Sequence, residues 1–181
     1  MDMNLANKLT MLRVFMIPAF LLVLFLGPEP MNRYIAVIIF IVASLTDMLD
    51  GKIARARNLV TNFGKFMDPL ADKLLVCSAM ICMITTGQLA AWIVIIIIAR
   101  EFIISGFRLV ASDNGIVIAA SYWGKFKTVS QMFMIMLLIL HPEGTVFFWL
   151  EQILIYVSLI LTVVSLLDYI MKNKQVLTEQ K

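Results

Sequence analysis

Tyr34-Ile-Ala-Val-Ile-Ile-Phe-Ile-Val-Ala-Ser-Leu-Thr-Asp-Met-Leu-Asp-Gly51 carries an apolar run straight into two carboxylates. A bilayer core takes roughly 20 residues of helix, so the apolar part, Tyr34 to Leu45, is too short to cross one alone. It must borrow charged flanks, or it must be a buried helix of a soluble protein. Composition removes the second option. Of 181 residues, 61% are hydrophobic and 15% charged, and the mean hydropathy is +0.93. That leaves too few polar residues to cover a water-facing surface, and the same figures exclude a disordered chain.

The pattern recurs along the chain in Val14 to Leu26, Leu74 to Ile84, Leu89 to Ala99, Thr128 to Leu140 and Val146 to Leu167. Only the last is long enough to span by itself. Ile93 to Ile98 would suit a strand by propensity, but an open sheet in lipid leaves backbone edges unpaired, so helix is expected. The fold class is therefore an all-α integral membrane protein of six transmembrane helices, with residues 1–181 as one membrane domain. The first helix is read as retained, because Gly27-Pro-Glu-Pro30 is a poor cleavage context and further spans follow. No repeat or linker divides the chain.

With six spans and an inner N-terminus, 14 of the 15 Lys and Arg fall in Met1 to Arg13, Asp47 to Lys73, Arg100 to Lys127 and the tail from Asp168, leaving only Arg33 outside. The positive-inside rule then places both termini in the cytoplasm. His141, beside Pro142 in a short outer loop, reads as a solvated turn residue. Cys77 and Cys82 are inert helix residues, and the 13 Met fill gaps and face lipid. Trp92, Trp123 and Trp149 lie near helix ends, as an aromatic belt would.

Asp47, Asp50, Asp68 and Asp72 place four of the 12 acids within 26 residues. At roughly 100° per residue, Asp47, Asp50, Gly51 and Ala54 share an arc of about 100° on one helix, and Gly64, Asp68 and Asp72 one of about 80° on the next. Unpaired carboxylates would repel and cost ~2.5 to 3.5 kcal/mol each at apolar depth, so something cationic belongs between them. Oxygen-only ligands favour Mg²⁺ or Mn²⁺. Two such ions would leave positions open for phosphate oxygens, which makes a phosphoryl-transfer site. The competing reading pairs the acids with Lys52, Arg55, Arg57, Lys65 and Lys73 in a solvated loop, but that gives no reason for two coherent helix faces. Gly51, Ala54 and Gly64 admit either a bulky ligand or a closely packed helix.

Together these residues spell D-x-x-D-G-x-x-A-R-x8-G-x3-D-x3-D, from Asp47 through Arg55 and Gly64 to Asp72. The pattern resembles the signature of the CDP-alcohol phosphotransferases, integral membrane enzymes that exchange the CMP of a CDP-linked donor for an alcohol. Ser44 to Gly51 and Leu59 to Lys73 most resemble the bacterial branch that makes phosphatidylglycerophosphate. Asn7 to Arg13, Arg100-Glu101, Gly106 to Arg108 and Gly124-Lys-Phe-Lys-Thr128 are similar to further landmarks of that branch, although its usual proline before Asn7 is Ala6 here.

The resemblance implies the reaction of CDP-diacylglycerol with sn-glycerol 3-phosphate to give phosphatidylglycerophosphate and CMP. It also implies a homodimer in the bacterial cytoplasmic membrane, bathed in membrane lipids, with its active site facing the cytoplasm. Nothing implies a nucleic-acid partner. On that reading Asp47, Asp50, Asp68 and Asp72 hold two divalent ions, and Asp72 is also the general base. Asp50, Gly51, Ala54, Arg55 and Gly64 meet the CDP donor, joined by Asn7, Thr10 and Arg13 at i, i+3, i+6 on the first helix. The soluble, dianionic acceptor needs cations open to the cytoplasm, for which Arg108, Lys125 and Lys127 are candidates and Arg100 a fourth. Taken singly, each of these also suits anchorage at anionic headgroups. Other acceptors, such as phosphatidylglycerol, serine or inositol phosphate, share the metal motif. Membrane prenyltransferases lack the D-G-x-x-A-R element, and a divalent-ion transporter would place its acids near mid-membrane.

Overall fold

The computed structural model describes the backbone of residues 5–56, 62–113 and 121–174, and the side chains of 11–46, 70–71, 73–111 and 121–174. Among them are six helices and no strand: α1 (Leu5–Leu26), α2 (Met31–Ala56), α3 (Asn62–Thr85), α4 (Ala91–Asp113), α5 (Tyr122–Leu140) and α6 (Thr145–Lys172). Five of the six apolar runs of the sequence lie within one helix, and Leu89 to Ala99 enters α4 at Ala91. Except at its loop-side end, the helix reaches past the run into charged flanks, and Ile93 to Ile98 is helical. By length and composition α5 and α6 are able to cross a membrane. The chain divides into two compact units, Met1–Met83 and Ile84–Lys181.

In the first unit α1 and α2 form an antiparallel hairpin. Arg13, Ile17 and Phe20 recur at i, i+4, i+7 on α1, and Ala36, Phe40 and Ala43 do so on α2; all six are buried. Phe20 and Phe40 meet at 6.3 Å between ring centroids. The turn requires glycine at 27, where a Cβ would lie 2.8 Å from Asn32 Cβ. Asn32 Nδ2 donates to the Leu24 carbonyl at 3.0 Å, satisfying an acceptor that the end of α1 leaves open.

In the second unit Ser121 caps α5, its Oγ accepting from Gly124 N at 3.1 Å. His141 ends the helix in a left-handed conformation (φ 40°), with its N–H donating to the Leu137 carbonyl. Gln88 Nε2 donates to the Leu138 carbonyl at 2.7 Å, tying the segment before α4 to the end of α5. The buried face of α6 consists of Glu151, Ile155, Ser158, Thr162, Ser165 and Tyr169. Their 4-3-4-3-4 spacing is a helix-packing seam, and it is mostly polar.

Large apolar side chains face outward as well as inward, and small and hydroxylated residues share the interior with Phe20, Phe40, Ile97 and Met134. Phe15, Ile95, Phe102, Phe133 and Ile160 are exposed, whereas Ala36, Ala43, Ala111, Ser158, Thr162 and Ser165 are buried. Small and hydroxylated residues let helices approach and hydrogen-bond, as is usual where the surroundings are as apolar as the side chains.

Candidate functional site

Both halves of the acidic motif fall on continuous helix, the first in the last turns of α2 and the second in the opening turns of α3. Asn7, Thr10, Asp47, Asp50, Gly51, Ala54, Arg55, Gly64, Asp68 and Asp72 lie outside the residues whose side chains are described. Among the described residues no cluster of His, Cys, Asp or Glu is suited to a metal ion. The donor set expected from the motif is the four aspartates, all oxygen ligands, in pairs on α2 and α3.

Arg13, expected at the donor, is fully buried in the α1–α2 hairpin, and its Nε donates to the Ala43 carbonyl at 3.3 Å. Ala43 is the residue before Ser44, four positions from Asp47, so Arg13 ties α1 to the helix segment that leads into the motif.

The second unit brings together two of the four expected acceptor cations and leaves two open. Arg100 and Lys127 converge on the Glu101 carboxylate, Arg100 through a 2.9 Å contact and Lys127 through a direct ion pair. Arg100 also donates from Nε to Ser165 Oγ at 3.1 Å, which joins α4 to α6. Lys127 is 2% exposed, and Gly124 lies beside the Arg100 guanidinium, close enough that a Cβ there would be in ordinary contact with it at 3.4 Å. Two cations on one carboxylate leave a net positive charge inside the helix bundle. Such a charge is expensive unless hydrogen-bonded or matched by an anion.

Arg108 and Lys125 are exposed and form no ion pair among the described residues. Each faces an aromatic ring instead: the Arg108 guanidinium lies 5.9 Å from the Tyr169 centroid, and Lys125 Nζ 5.2 Å from that of Tyr122. Tyr169 is in turn held edge-on by Phe107, at 6.2 Å and 84°. Sequence reading noted Glu101 only as a landmark and passed over Ser165, Tyr122 and Tyr169. The acid beside Arg100, in a chain whose next helix carries two lysines, was a usable signal, whereas the α6 residues could not be paired with α4 from local sequence.

At the opposite end of α5, Glu151 is buried and contacts His141 Nδ1 at 2.9 Å beside a cleft of about 490 Å³. His141 is therefore a turn residue, as expected, but one that partners a buried carboxylate.

A family model described as CDP-alcohol phosphatidyltransferase matches residues 3–164. The chain belongs to the CDP-alcohol phosphatidyltransferase family. Members of this family are generally dependent on divalent metal, in keeping with the all-carboxylate donor set. Among curated relatives, a Bacillus subtilis protein named CDP-diacylglycerol--glycerol-3-phosphate 3-phosphatidyltransferase is 43% identical, over 96% of this chain and 97% of its own length. Relatives of the same name from Rickettsia bellii and Shigella flexneri are 36% and 37% identical. They cover 93% and 99% of this chain and 94% and 100% of their own lengths.

Proposed function

We propose that this chain transfers the phosphatidyl group of CDP-diacylglycerol to sn-glycerol 3-phosphate, giving phosphatidylglycerophosphate and CMP. The observation that carries the reading is the complete D-x-x-D-G-x-x-A-R-x8-G-x3-D-x3-D motif on two helix ends, in a chain matched nearly end to end by relatives named for that reaction.

The chain acts as a single catalytic domain of six membrane spans, both termini cytoplasmic, as a homodimer in the bacterial cytoplasmic membrane. Helix lengths support that placement. The 26 residues of α2 extend ~39 Å at 1.5 Å per residue, more than the ~30 Å hydrocarbon core. Asp47 and Asp50 fall ~24 and ~28 Å along it from Met31, towards the inner interface. There the acyl chains of the donor remain in lipid while its pyrophosphate reaches the acids.

Asp47, Asp50, Asp68 and Asp72 are the residues suited to hold two Mg²⁺ or Mn²⁺ ions. When bound there, the ions supply neutralisation of the pyrophosphate and of CMP as it leaves. Gly51, Ala54 and Gly64 keep the helix surfaces low enough for the nucleotide, with Arg55, Asn7 and Thr10 as polar contacts and Arg13 bracing the hairpin behind them. The Asp72 carboxylate takes the proton of the acceptor hydroxyl. That oxygen attacks the phosphorus attached to diacylglycerol, and the bond from this phosphorus to the CMP oxygen breaks. Arg108 and Lys125 grip the acceptor phosphate, while Arg100 and Lys127, already neutralised in part by Glu101, contribute field from behind.

The test is incorporation of labelled sn-glycerol 3-phosphate into a lipid-extractable phosphomonoester by the purified chain with CDP-diacylglycerol and Mg²⁺ or Mn²⁺. Product that depends on both substrates is expected; a folded protein that makes none contradicts the proposal.

A further inference from the structure

We propose that Tyr169 is a positioning residue for the acceptor: its ring holds the Arg108 guanidinium in place without cancelling its charge. The inference rests on the assignment of Arg108 to the acceptor phosphate and adds the residue that orients it.

Four cations occupy the α4 and α5 segments expected to bind the acceptor, and the structure treats them in two ways. Arg100 and Lys127 are neutralised in part by Glu101 and buried. A phosphate would have to compete with that carboxylate for them. Arg108 is exposed, has no ion pair among the described residues, and lies 5.9 Å from the Tyr169 centroid. A carboxylate at that place would fix the guanidinium but also consume the charge that the ligand needs. A ring quadrupole fixes it by a weaker attraction and leaves its outward N–H donors and full charge available. Lys125 over Tyr122 at 5.2 Å repeats the arrangement on α5.

Tyr169 is suited to the task because it cannot move easily. It is 3% exposed, occupies the last position of the buried α6 seam, and is held by Phe107 at 6.2 Å in an edge-on contact. The adjacent carboxylate, Asp168, is engaged by Lys172 at 2.7 Å rather than by Arg108. The Tyr169 hydroxyl is buried and has no hydrogen-bond partner among the described residues. Tyr169→Phe therefore removes a group that contributes little and keeps the ring, while Tyr169→Leu removes the ring.

The experiment measures steady-state kinetics of the purified full chain and of Arg108→Ala, Tyr169→Leu, Tyr169→Phe and the Arg108→Ala/Tyr169→Leu double variant. Tyr169→Leu is expected to raise KM for sn-glycerol 3-phosphate about two- to fivefold, with kcat and KM for CDP-diacylglycerol held. Tyr169→Phe restores the original KM, and the double variant is no worse than Arg108→Ala alone, since the ring then has nothing to hold. Should Tyr169→Leu fold poorly, Tyr169→Met keeps more of the volume without a π face and carries the same expectation. Multiplicative effects in the double variant, equal rises in both KM values, or a Tyr169→Phe as impaired as Tyr169→Leu would each overturn the inference while leaving Arg108 at the acceptor. An Arg108→Ala that leaves the acceptor KM unchanged would instead remove the assignment on which the inference stands.

Discussion

Lys125 and Lys127 are two residues apart, and residue type and spacing alone do not separate their roles, although the family resemblance favours Lys125 at the acceptor. The structure separates them: Lys127 is buried on Glu101, while Lys125 stands exposed over Tyr122. Lys125→Ala is expected to raise KM for the acceptor about tenfold or more, the cost of a charge-assisted contact, with donor KM near its original value in steady-state assays. Lys127→Ala, by contrast, removes one of the two cations on Glu101 while Arg100 still pairs with it, and is expected to cost about 1 to 3 kcal/mol of stability, read as a lower melting temperature in detergent. The reverse assignment of these two phenotypes would contradict the site. Asp72→Asn is expected to lower kcat by at least ~100-fold while sparing CDP-diacylglycerol binding, measured by titration of the donor against the inactive protein. Equal loss of binding and turnover would reduce Asp72 to a metal ligand. The acidic motif was legible as a candidate site because spaced acids and glycines form a local pattern. The distinction between held and open cations was not, because it depends on which α4 side chain meets which α5 side chain.

Among the elements, the continuation of α2 and α3 through the acidic motif was legible from a single constraint: apolar runs shorter than a membrane must continue into their charged flanks. The seam of α6 was not. Ser158, Thr162 and Ser165 sit in a stretch whose hydropathy is dominated by Leu, Ile and Val, so averaging hides them, although their heptad spacing is visible once sought. Their hydroxyls are partnered within the unit: Thr162 Oγ1 donates to the Ser158 carbonyl at 2.7 Å, Ser158 and Ser130 share a 2.8 Å bond, and Ser165 accepts from Arg100. Ser165→Ala leaves Arg100 Nε without that acceptor and is expected to destabilise the protein by about 1 to 3 kcal/mol, seen as a reduced melting temperature. No change would mean that the α4–α6 link is dispensable.

For the whole molecule, hydropathy and charge asymmetry carry the argument from sequence to a proposed orientation, because lysines and arginines on short loops are retained on the inner side. Single cysteines placed at Lys174 and at Glu143, in a background lacking Cys77 and Cys82, are expected to react with an impermeant thiol reagent in intact cells only at position 143. Labelling at 174 alone would invert the topology. Separation of the chain into two compact units was not legible, since no linker or composition shift marks the boundary near Met83. The central claim is the pairing of donor and acceptor. The most direct measurement follows CMP release from CDP-diacylglycerol by the purified chain while sn-glycerol 3-phosphate, serine, inositol phosphate and phosphatidylglycerol are offered separately, with and without EDTA. Release with sn-glycerol 3-phosphate alone, abolished by EDTA, is the predicted result; release with a different acceptor, or release that survives EDTA, would contradict it.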